Sequence, residues 1–73
     1  MIYFFFVDDD DWNETYKYIG KCTAQYDFKA TRDDELTIFL GDQINIIEKR
    51  EDGWWRGELR NSIGLFPSTY VKE

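Results

Sequence analysis

Fifteen carboxylates, one thiol and no histidine bound the chemistry open to this chain of 73 residues. Without histidine there is no Ser-His or Cys-His pair to activate a nucleophile. A single thiolate, Cys22, is too few ligands for a zinc site, and it cannot form a disulfide within the chain. The carboxylates fall in no acid–base constellation, and so short a chain has little room for a substrate cavity. Neither catalysis nor a cofactor is expected. Recognition chemistry is better supplied, with three Trp, five Tyr and six Phe making 19% of the chain. Trp54 and Trp55 stand side by side. Neighbours on a strand point to opposite faces, so both cannot enter one core. One is expected to stand largely exposed, and a large exposed aromatic suggests a binding face. The polar stretch 29–35 adds Arg32, Asp33, Asp34 and Glu35. It reads either as a solvated loop tip or as an acidic wall beside the aromatics, and composition alone leaves both open.

Charge narrows the choice of partner. Asp and Glu exceed Lys and Arg by 15 to 9, a net −6. That sign repels the phosphates of nucleic acid and of anionic lipid surfaces, and it favours a basic partner. The longest apolar run, residues 1–7, is far short of the roughly 20 residues that span a bilayer. It also lacks the basic start and small-residue cleavage site of a secretory signal. With a lone cysteine, this fits a reducing, cytoplasmic setting.

The elements that must position these residues are short strands. Residues 22–26, 36–38 and 44–46 alternate apolar and polar types, which is the period of a half-buried strand. Residues 54–59 are rich in strand formers and 63–66 are apolar. Breakers separate them: Gly41-Asp42, Asp52-Gly53 and Arg60-Asn61-Ser62. No window shows a 3.6-residue repeat, so helix beyond about one turn is not expected. The fold class is therefore all-β, a small barrel or sandwich. Ala24, Leu36, Ile38, Ile44, Ile46, Gly57, Ile63 and Val71 read as core. A chain of this size buries only about 60% of its unfolded surface, so that core must be dense.

Four landmarks occur in order: Ala24-Gln25-Tyr26-Asp27-Phe28; Asp34-Glu35-Leu36-Thr37-Ile38 with Gly41-Asp42; Gly53-Trp54-Trp55-Arg56-Gly57; and Gly64-Leu65-Phe66-Pro67-Ser68-Thr69-Tyr70-Val71. Together they resemble the SH3 domain family over residues 21–73. The resemblance implies a five-stranded, partly open barrel that binds proline-rich peptides in the polyproline II conformation. Such a ligand has no N–H at proline and presents ridged rings, so its receptor needs aromatic walls, a few donors and a charge for a flanking base. By resemblance, Tyr26, Phe28, Trp54, Pro67 and Tyr70 line the groove. Glu35 with Asp33 or Asp34 faces an Arg or Lys of the ligand, and Glu51 and Asp52 extend that wall. The chain departs from the family at several places. Phe28 replaces a common Tyr, Thr69 a common Asn, Gln25 a common Leu, and Arg60-Asn61 the usual Asn-Gly. Thr69 is shorter than Asn and reaches a ligand carbonyl less well.

Residues 1–20 lie outside the resemblance and form an acidic, aromatic extension, with five acids against one base for −4, while 21–73 carry −2. Apolar residues 2–7 and partly alternating 14–19 predict an extra hairpin before the barrel. The first seven residues also have the composition of an aggregating strand. They are expected to pack on the barrel, pair with a second copy or be covered by a parent protein. The expected function is non-catalytic binding of P-x-x-P segments with a basic flank, within an adaptor, signalling or cytoskeletal protein. The alternative is assembly or self-association through residues 1–20 or a sheet edge, with the groove occluded or unused.

Overall fold

The computed structural model describes residues 17–73, and the extra hairpin expected from 2–7 and 14–19 lies outside them except at 17–19. Those three carry no strand of their own, although the Ile19 N–H donates to the Ile46 carbonyl at 2.7 Å. Five strands follow: β1 Gly20–Ala24, β2 Gln43–Lys49, β3 Trp54–Leu59, β4 Ser62–Pro67 and β5 Val71–Lys72. A single 3-10 turn, Ser68–Tyr70, joins β4 to β5. The strands run antiparallel in the order β4-β3-β2-β1-β5 and make an all-β half-barrel.

Period two explains most of the core. Cys22 and Ala24 on β1, Ile44 and Ile46 on β2, Leu59 on β3 and Phe66 on β4 close around Leu36 and Ile38. Leu36 and Ile38, expected on a strand, sit instead in a segment held by isolated bridges: Phe28 to Ile38, and Glu35 to Leu65. The strand expected to reach Tyr26 ends at Ala24, where the chain turns outward. β2 carries a bulge between Ile46 and Glu48. A bulge bends its strand and sharpens the local twist, which lets one strand curve along the barrel wall.

Two glycines permit close approach. A Cβ on Gly57 would lie 2.6 Å from Ile44 Cγ2 and 2.8 Å from Phe66 Cε2, so the core closes against bare backbone there. On Gly64 a Cβ would lie 2.8 Å from the Glu35 carbonyl carbon and 2.9 Å from the Leu36 nitrogen. β4 therefore receives the 34–36 segment directly across its backbone. The Leu36 N–H donates to Leu65 O, and the Leu65 N–H to Asp34 O, both at 2.8 Å. The hairpin between β3 and β4 turns at Arg60 (φ 50°) and Asn61 (φ 68°). Two consecutive left-handed residues are what a two-residue hairpin matched to sheet twist requires, and Asn tolerates that region well.

Ile63 departs from the expected core, being 39% exposed. It lies opposite Glu58 across β3–β4, and Glu58 shares the outer face with Asn45 through a 3.0 Å hydrogen bond. Three consecutive residues, Gly64, Leu65 and Phe66, are buried instead, because the 34–36 segment covers the outer side at Leu65.

Candidate functional site

The segment leaving β1 places Tyr26 and Phe28, while the 3-10 turn places Tyr70. The Gln25 N–H donates to the Tyr70 carbonyl at 2.7 Å, tying the two segments together. Phe28 is fixed by a pair of backbone hydrogen bonds with Ile38, at 2.8 and 2.9 Å. Trp54 opens β3. Its N–H donates to Asp52 Oδ1 at 3.0 Å, and its register partner on β4 is Pro67. Pro67 closes the edge strand β4, where a missing N–H costs the sheet nothing. The next residue resumes the ladder, with the Ser68 N–H donating to Gly53 O at 2.9 Å.

The four aromatic side chains form one row. Tyr26 meets Tyr70, Tyr70 meets Phe28 and Phe28 meets Trp54, each with ring centroids 5.8 Å apart and planes at 76°, 76° and 69°. Edge-to-face contacts of this kind are favourable in themselves. Tyr26 is 63% exposed, an open end to the row. Trp54 and Trp55 are both half-buried, so the expected large exposure of one does not occur. The two still point apart. Trp54 packs on Phe28, and Trp55 packs on the core while Lys49 Nζ sits 4.7 Å from its ring centre.

Beyond Trp54 the row opens into a cavity of about 300 Å³ lined by Arg32, Asp34, Glu35, Arg50, Asp52, Trp54 and Leu65. Of the acidic residues singled out in the sequence, Asp34, Glu35 and Asp52 meet here, whereas Asp33 and Glu51 do not line the cavity. Thr69 is exposed on the 3-10 turn beside Tyr70. Glu35 Oε1 accepts from the Thr31 N–H at 2.7 Å and from its hydroxyl at 2.9 Å. The Thr31 N–H above all holds the Glu35 carboxyl below the ordinary carboxylate range. Asp52 is likewise depressed, first by the Trp54 N–H and then by Arg50, whose Nη2 lies 2.6 Å from Oδ2. Arg32, Arg50 and Leu65 were not anticipated as lining residues. Their signal was position: each arginine stands within two residues of an acid that reaches the cavity.

An aromatic row and a charged cavity on a small half-barrel define a peptide-recognition module. A sequence profile of the SH3 domain matches residues 23–68. CD2-associated protein of Mus musculus is 47% identical over 53 residues, 73% of this chain and 8% of that protein. The SH2/SH3 adapter protein dreadlocks of Drosophila melanogaster is 47% identical over 55 residues, 75% of this chain and 10% of that protein. This chain thus spans about a tenth or less of either relative. Among solved structures, the C-terminal SH3 domain of myosin IB from Entamoeba histolytica, bound to an EhFP10(GEF) peptide, is 46% identical with a TM-score of 0.72. That match covers 78% of this chain and 93% of the other. The Acanthamoeba myosin I SH3 domain bound to Acan125 is 42% identical with a TM-score of 0.69, covering 71% and 90%. The chain belongs to the SH3 domain family.

Proposed function

We propose that this chain binds proline-rich segments in polyproline II conformation along the Tyr26–Tyr70–Phe28–Trp54 row, with a ligand Arg or Lys directed to Asp34 and Glu35. The continuous edge-to-face row ending at a charged cavity carries this reading. The ring faces of the row accept the ridged faces of prolines, and phenol and indole groups donate to ligand carbonyls. Pro67 holds the Trp54 end in register, while Asp33, Glu51 and Thr69 act at the rim. The role is non-catalytic and belongs to the cytoplasmic adaptor, signalling or cytoskeletal part of a parent protein. The myosin IB domain bound to the EhFP10(GEF) peptide and the myosin I domain bound to Acan125 support it as similar domains that hold partners.

A tryptophan-fluorescence titration of the full chain tests it, using P-x-x-P peptides with Arg before or after the motif. Trp54→Ala is expected to lose about 2 kcal/mol or more of binding, as a central aromatic anchor does. Its circular dichroism should remain that of a folded barrel, because Trp54 is outside the buried core. Normal binding by Trp54→Ala sinks the groove assignment.

A second reading is assembly through residues 1–20. It draws on Tyr18 and Ile19, 50% and 59% exposed where that segment meets β1. Sedimentation that shows a monomer at all concentrations rules it out.

A further inference from the structure

The cavity beside Trp54 is lined by arginines as well as carboxylates, and half of its carboxylate oxygens are already engaged. Asp52 uses both oxygens, Oδ1 on the Trp54 N–H and Oδ2 on Arg50. Glu35 Oε1 takes two donors from Thr31. Asp34 and the second oxygen of Glu35 remain to meet a ligand base. Among the described residues Arg32 is in no ion pair within 4.0 Å, and Arg50 keeps the guanidinium donors that Asp52 does not use. Two arginines against three carboxylates leave the lining only one charge short of neutral. A cavity of about 300 Å³ also has room for more than one polar head, given that a water takes roughly 30 Å³.

We infer that this cavity receives a base and an acid together: a ligand Arg or Lys meets Asp34 and Glu35, while an adjacent ligand Asp or Glu meets Arg32 and the free donors of Arg50. This rests on the groove reading above and names the flank that the groove selects. Its sign separates it from bulk electrostatics. The chain carries −6, so an acid added to a ligand should weaken binding by general repulsion. Local pairing with Arg32 makes it strengthen binding instead.

The test is a fluorescence titration of the full chain at low salt with four P-x-x-P peptides. They carry a base alone, a base with an adjacent acid, a base with the acid moved to the far end, and the acid alone. The adjacent acid is expected to tighten binding roughly threefold over the base alone, the scale of an exposed ion pair. The gain should fade in high salt, and the far-end acid should give none. Arg32→Gln, an exposed position, should bring the ratio of the first two peptides to about one. An adjacent acid that leaves affinity equal or weaker overturns the inference, as does a gain that survives Arg32→Gln. Binding of the base peptide without any gain overturns this inference alone. Binding of none of the four by a chain that circular dichroism shows to be folded overturns the groove reading, and this one with it.

Discussion

Glu35 joins loop structure to the proposed recognition of a ligand base. Its Oε1 closes the loop on Thr31, and the same two donors keep the group ionised below the ordinary carboxylate range. Only the charged form attracts a ligand base, so that attraction is full near neutrality and is lost as pH falls through the depressed value. Affinity for a base-bearing peptide should therefore hold from pH 7 down to the ordinary carboxylate range, about 4.3, and drop below it. Thr31→Val removes the hydroxyl donor and should move the drop upward. Glu35→Gln should flatten it and weaken binding a few-fold at pH 7. Affinity constant from pH 7 to 3 in the parent chain sinks the role given to Glu35. That Tyr26, Phe28, Trp54 and Tyr70 would come together in one row was legible through ordered motifs. Arg32 and Arg50 were not, because adjacency along the chain does not say whether a side chain points into a cavity or away from it.

The 34–36 segment and β4 act as one element, and Gly64 is their point of contact. A methyl group there meets backbone atoms at 2.8–2.9 Å. Backbone cannot rotate aside as a side-chain tip can, so Gly64→Ala should cost about 1–3 kcal/mol of stability. It should also push Asp34 and Glu35 outward and weaken peptide binding. Gly57→Ala meets Ile44, Phe66 and the Asn45 carbonyl, away from the cavity. It should cost similar stability yet bind normally wherever it is folded. Urea melts and peptide titrations on both variants check the pair, and equal binding by both contradicts the coupling. β2, β3 and β4 were readable from alternation and β propensity. The two-residue β5 offered no period to read. Ile63 was misjudged because an unbroken apolar run does not say which of its members face out; the 34–36 segment pairs with Leu65, and Ile63 stays 39% exposed.

At the scale of the whole domain, four carboxylates among the described residues are depressed by bonds made in the fold. The Arg60 fork and the Phe39 N–H act on Asp42, and Asn45 and the Asn61 N–H act on Glu58. Glu35 and Asp52 complete the set. Depressed acids stabilise above their unfolded pKa values, and that contribution is lost as pH falls through the folded ones. The opposite case is Cys22, pushed up to about 11 chiefly by burial, then by Glu73, against the pull of Lys49. Its contribution is complete below the unfolded value of 9.0 and is lost as pH rises through about 11. Urea midpoints should thus form a plateau between about pH 5 and 9 and fall on both sides. Glu58→Gln should shrink the acid limb and Cys22→Ser the alkaline one.

The same thiol makes the domain a witness to its own opening. At 2% exposure Cys22 offers no path to a reagent in the closed barrel, and a neutral thiol is in any case a poor nucleophile. Modification must wait until β1 leaves the sheet. When closing outpaces the reagent, the labelling rate measures the population of the open form. Each alkylated molecule is then barred from closing its core. In a cell, electrophiles or oxidants would accordingly leave closed copies alone and retire those caught open.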